Sequence, residues 1–88
     1  MYDVEIREHV DKAFKRLAKK DSKQMEAVAK KIEEMAEDPH SFKPLRFPLA
    51  GLRRVHIGSY VLLFSIDEAR KTVVLEDYDH HDNAYRTR

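Results

Sequence analysis

The stretch Leu52-Arg53-Arg54-Val55-His56-Ile57-Gly58-Ser59-Tyr60-Val61-Leu62-Leu63-Phe64 sets two apolar, β-branched runs on either side of Gly58-Ser59. A two-residue connection with glycine first suits a type II′ hairpin turn, whose twist matches that of the strands it joins. This predicts strands over 53–57 and 60–66 and fixes their register: Ile57 opposite Tyr60, His56 opposite Val61, Val55 opposite Leu62, Arg54 opposite Leu63. Val55, Ile57, Tyr60, Leu62 and Phe64 then share one strongly apolar face, which should meet a covering layer. Arg54 and His56 turn the other way, beside Val61 and Leu63, onto a face expected to stay uncovered.

Working outward, Asp67 to Arg70 reads as the next turn and Lys71 to Asp77 as a third strand of the same meander, rich in Val and Leu. Upstream, all three prolines (Pro39, Pro44, Pro48) and Gly51 fall within residues 39–51. That segment reads as an irregular crossing loop with a short extended piece around Leu45 to Phe47. Before it, Val10, Ala13, Phe14, Leu17 and Ala18 recur at helical spacing, as do Met25, Val28, Ala29, Ile32, Met35 and Ala36. Asp21, with Gln24 three residues on, reads as an N-cap in a loose capping box. Pro39 ends the second helix, and the short Lys20-Asp21-Ser22 link makes an antiparallel helix pair. Tyr2, Val4 and Ile6 alternate with acids, the period of a strand with one buried face. The fold class is therefore α+β, in the order β-α-α-β-β-β: an antiparallel four-stranded sheet with a helical hairpin packed on one face.

Eighty-eight residues accommodate a single domain spanning 1–88. There is no cysteine, hence no disulfide framework and no Cys-based zinc site. No apolar stretch could span a bilayer and no signal-like start is present, so a cytoplasmic, membrane-free setting is expected. The net charge is only +1, yet it is unevenly spread. Residues 7–54 carry 13 Lys/Arg against 8 Asp/Glu, whereas 55–88 carry 4 against 6. The basic half is where a polyanionic partner would be sought, although most of these lysines read as solvated helix faces.

The tail Tyr78-Asp79-His80-His81-Asp82-Asn83-Ala84-Tyr85-Arg86 gathers groups able to move protons or to bind a metal. Adjacent histidines on an extended chain point apart, and no His-x-x-x-His spacing exists, so no metal and no cofactor is expected.

The helix pair, the 52–64 hairpin and the closing His80-His81-Asp82-Asn83-Ala84-Tyr85-Arg86 together resemble RelE/ParE-superfamily toxins. In those proteins the corresponding strands read like L-Y-R-I-R-V-G-D-Y-R-I-L-Y and the chain closes on something like G-H-R-R-x-V-Y. The resemblance covers nearly the whole chain. It implies a toxin of a type II toxin-antitoxin pair, a ribosome-dependent endoribonuclease acting on mRNA. It also implies a cognate antitoxin as partner, with operator DNA met only through that antitoxin. Carried over position by position, Arg54 and His56 match the two basic strand positions, His81 the tail arginine, and Tyr85 the closing aromatic. Val61 stands where many members have an arginine. The histidines are similar to the pattern of the YafQ-like branch of RelE-type mRNA interferases. The resemblance thus implies His56, His81, Arg54 and Tyr85 as catalytic residues, with Arg53, Arg54, Arg86, Lys43 and Arg46 holding RNA. A non-catalytic or ParE-like member that binds a protein target, or only its antitoxin, is the competing reading. The missing arginine at Val61 and the acids Asp77, Asp79 and Asp82 favour it.

Overall fold

The computed structural model describes residues 1–84. Its elements are β1 (Asp3–Ile6), α1 (Glu8–Lys20), α2 (Ser22–Glu37), a 3-10 turn (Pro39–Ser41), β2 (Lys43–Pro44), β3 (Arg53–Ile57), β4 (Tyr60–Asp67), β5 (Thr72–His80) and α3 (His81–Ala84). The expected α+β order holds, with a five-stranded sheet in place of four. The strands lie in the order β1-β5-β4-β3-β2. The expected all-antiparallel sheet is corrected as well, because β1 runs parallel to β5, with Val4 beside Val73 and Ile6 beside Leu75. Alternation in residues 2–6 reports a period and says nothing about the neighbour or its direction.

The helices form where the apolar spacing places them. Val10 and Phe14 of α1, and Val28, Met35 and Ala36 of α2, are buried. They pack on Val55, Ile57, Leu62, Phe64, Val73 and Leu75 of the sheet. Asp21 caps α2, its Oδ1 accepting from the Gln24 amide at 3.1 Å. The Gln24 side chain does not close a capping box. Its Nε2 donates instead to the Ile57 carbonyl at 2.8 Å and to the Tyr78 hydroxyl at 3.1 Å, tying α2 to the sheet.

The β3–β4 register is the one the turn dictates, from Arg54 opposite Leu63 to Ile57 opposite Tyr60. Gly58 has φ 63° while Ser59 stays at negative φ, as a type II′ turn requires.

Two features depart from expectation. The last strand runs to His80 and so takes in the start of the tail. Within it, Leu63 pairs with Asp77 but Phe64 pairs with Leu75, which leaves Glu76 as the extra residue of a β-bulge. The bulge shifts the alternation by one. Leu75 before it and Tyr78 after it both face the helices, whereas Asp77 and Asp79 take the register positions beside Leu63 and Val61. Second, the far face is not bare. Leu45 and Leu52 lie over Val61 and Leu63, which are 0% and 1% exposed. Loop 45–52 is closed by backbone bonds from Leu45 to Leu52, Leu49 to Arg46 and Leu52 to Leu49. The extended piece expected at Leu45 to Phe47 forms at Lys43–Pro44 instead, pairing with β3.

Candidate active site

Cross-strand partners share a face, so the register defines rows across the far side of the sheet. One row runs Lys43, Arg54, Leu63, Asp77, and the next runs His56, Val61, Asp79. Lys43 and His56 are exposed and Arg54 is half-buried. The apolar pair Val61 and Leu63, under the 45–52 loop, forms the floor between the basic and acidic ends of these rows.

His81 reaches the same end of the sheet by another route. Its backbone amide donates to the Ser59 carbonyl at 2.9 Å, and its Nδ1 lies 3.4 Å from the same oxygen. The β3–β4 turn therefore tethers the first residue of α3. Among the described residues no hydrogen bond or ring contact joins His56 to His81.

The remaining candidates separate. Arg53 lies on the opposite face from Arg54, and its Nη1 donates to the Phe42 carbonyl at 2.7 Å and the His40 carbonyl at 3.3 Å. Arg46 is exposed on the loop that covers Val61 and Leu63. Tyr85 and Arg86 lie outside the described residues.

An aromatic array at this end was not singled out from the sequence. Tyr60 keeps the helix-side face expected of it, but at 36% exposure it is only partly covered. Its ring stacks on Tyr78 at 5.0 Å and 9°, with His80 edge-on at 5.6 Å. Burial pushes the Tyr78 hydroxyl above its ordinary pKa, against the bond from Gln24, so it stays a neutral phenol. Arg16 and Lys20 of α1 stand beside the two tyrosines around a hollow of about 250 Å³. The alternation of β4 carries the signal for Tyr60, since the first residue of a strand can overhang a layer shorter than the sheet.

Residues 2–85 match the family described as ParE toxin of type II toxin-antitoxin system, parDE. The chain belongs to the ParE/RelE family of type II toxins. A relative from Methanocaldococcus jannaschii named "Putative toxin RelE4" is 48% identical over 87 residues, covering 98% of this chain and 93% of its own. Among solved structures, the toxin-antitoxin complex RelBE2 from Mycobacterium tuberculosis contains a chain 30% identical with TM-score 0.77, covering 90% of this chain and 96% of that one. The isolated RelE toxin of E. coli superposes with TM-score 0.76 over 99% of this chain and 88% of that one, at 20% identity, a likeness of fold alone. A RelE-like toxin is thus the frame in which the far-face rows and the His81 tether are to be understood. No helix among the described residues is long and apolar enough to cross a membrane.

Proposed function

We propose that this toxin is a ribosome-dependent endoribonuclease that cuts mRNA without a metal, with His56 and His81 as its acid–base pair. The observation that carries the reading is the convergence of Lys43, Arg54 and His56 in neighbouring rows with a tail histidine anchored at the same end of the sheet. His56 and His81 stand two strands and about two rungs apart. Strand spacings of about 4.8 Å and rises of about 3.4 Å put their Cα atoms on the order of 12 Å from one another.

In the chemistry that follows, one neutral imidazole takes the proton of a ribose 2′-hydroxyl. The oxygen attacks the adjacent phosphorus and the bond to the 5′ oxygen breaks. The second group, an imidazolium or the Tyr85 hydroxyl, protonates that leaving oxygen, giving a 2′,3′-cyclic phosphate and a free 5′-hydroxyl. Arg54 and Lys43 offset charge building on the phosphoryl oxygens. Arg46 and Arg86 are the further candidates for RNA contact, and Tyr85 is the candidate to stack on a base, whereas Arg53, tied to the Phe42 carbonyl on the other face, is set aside. The pairing of a strand histidine with a tail histidine resembles the pattern of the YafQ-like branch.

A cognate antitoxin is proposed as the partner that silences the toxin. The M. tuberculosis structure, itself a toxin-antitoxin complex, supports this reading. The non-catalytic alternative draws on Asp77 and Asp79, which share rows with Arg54 and His56 and would repel RNA. The test is induced expression of the wild type and of His56→Ala and His81→Ala, followed by mapping of ribosome-bound message. Loss of one acid–base group is expected to slow cleavage by roughly 10²–10⁴-fold while antitoxin binding persists. Unchanged growth arrest in both variants would leave the non-catalytic reading.

A further inference from the structure

The chain bends between His80 and His81, where β5 gives way to α3. This bend removes the premise on which a metal was not expected, since the two rings no longer diverge. Their centroids lie 4.9 Å apart at a tilt of 34°. Both reach for Asp82: His80 Nδ1 lies 3.4 Å from Oδ2, and His81 Nε2 lies 3.2 Å from Oδ1. One ligand atom from each of the three residues falls within 4.8 Å of the others.

Backbone partners set which ring nitrogens accept and which donate. The Asp82 amide can only donate, and it donates to His80 Nδ1 at 3.2 Å, so that nitrogen is an acceptor, and a bound ion would take the amide's place on its lone pair. The Ser59 carbonyl can only accept, so the His81 Nδ1 that lies 3.4 Å from it carries the proton, and Nε2 presents a lone pair. The two nitrogens that face the Asp82 carboxylate are therefore both acceptors. Ligands at about 2.0–2.1 Å around a tetrahedral ion stand about 3.3–3.4 Å from one another; the three groups, within 4.8 Å of one another, need draw in only slightly to enclose one. A ring N–H given to a backbone carbonyl, as at His81, is also how a ligating imidazole is held in place.

We propose that His80, His81 and Asp82 form a binding site for a zinc-class transition-metal ion, and that loading it withdraws the His81 imidazole from catalysis. Two imidazoles and one carboxylate favour Zn²⁺ over the hard cations Mg²⁺ and Ca²⁺, and the exposed fourth position takes water. The binding half stands on the geometry alone. The inhibitory half rests on the nuclease reading.

The test is a Co²⁺ titration of the full-length toxin, read by the visible absorption of four-coordinate Co²⁺ and by Zn²⁺ displacement. One ion per chain is expected. His80→Ala and Asp82→Asn are each expected to weaken binding about tenfold or more, as removing a ligand should cost at least what loss of an outer-shell partner costs. Weak, six-coordinate binding, or affinity indifferent to both substitutions, overturns the site. In a cleavage assay, Zn²⁺ should inhibit the wild type, a chelator should restore it, and His80→Ala should resist inhibition. Binding without inhibition of an active toxin overturns the regulatory half. A chain that cuts no RNA under any condition would sink the nuclease reading alone, leaving the Co²⁺ spectra to decide the site.

Discussion

Substituting alanine for Gly58 should destabilise the toxin through two costs that can be measured apart. The first is conformational: Gly58 has φ 63°, and an L-residue held there costs about 1–2 kcal/mol. The second is steric and involves a helix distant in sequence. A Cβ at Gly58 would lie 3.2 Å from Gln24 Oε1, so the Gln24 amide must retreat. Retreat weakens its bond to the Ile57 carbonyl, now 2.8 Å, a loss of about 1 kcal/mol. Together these give about 2–3 kcal/mol, and for a domain of this size a fall in Tm of roughly 8–20 °C. The assay is a double-mutant cycle followed by thermal and urea unfolding: wild type, Gly58→Ala, Gln24→Ala and the pair. With Gln24 already truncated, Gly58→Ala should cost only the conformational part, leaving a coupling of about 1 kcal/mol. Equal costs in both backgrounds would refute the argument that Gln24 reads the turn.

Two other expectations follow from the same structure. Burial is the largest influence on Glu76 and would raise its pKa, but hydrogen bonds from Arg7 at 2.9 Å and Ser65 at 2.7 Å outweigh it and hold the carboxyl below its ordinary value of 4.5. A depressed folded-state pKa contributes stability that is complete above about 4.5 and lost as pH falls through the lower folded value, so wild type should lose stability in acid more steeply than Glu76→Gln in urea unfolding between about pH 3 and 6. Lys43→Ala should weaken single-stranded RNA binding on all sequences alike and lower the salt slope by about 0.7, measured by fluorescence anisotropy across salt concentrations.

How far the sequence could be read depended on whether a feature was local. The β3–β4 register followed from two residues, because a two-residue loop admits one pairing. The helix limits followed from Asp21 and Pro39. Distance along the chain defeated the rest. The parallel β1–β5 pairing joins residues some seventy positions apart, and nothing in Tyr2-Asp3-Val4 names its neighbour. The cover over Val61 and Leu63 comes from Leu45 and Leu52, ordinary apolar residues in a proline-rich loop. Arg54 and His56 could be placed on one face by counting, whereas Lys43 joins them through a β2 pairing that the proline-rich loop did not announce, and Arg53, one position away, turned out to anchor the Phe42 carbonyl. Tyr60 is less covered than its face implies, because parity gives the face and not the extent of the layer above it. The approach of His80 to His81 depends on a bend at a strand end that composition does not announce.

Glu76 is the residue that upsets simple parity, and the whole terminal segment inherits its offset. Were it to enter the ladder opposite Leu63 instead of bulging, strict two-residue alternation would run on through the whole of β5. Asp77 and Asp79 would then rotate under the helices and Tyr78 would swing out to water, so the imidazoles that follow would arrive on the wrong side of the sheet. Loss of the Glu76 codon, by contrast, would take out only the extra residue and leave Asp77, Tyr78 and Asp79 opposite Leu63, Leu62 and Val61.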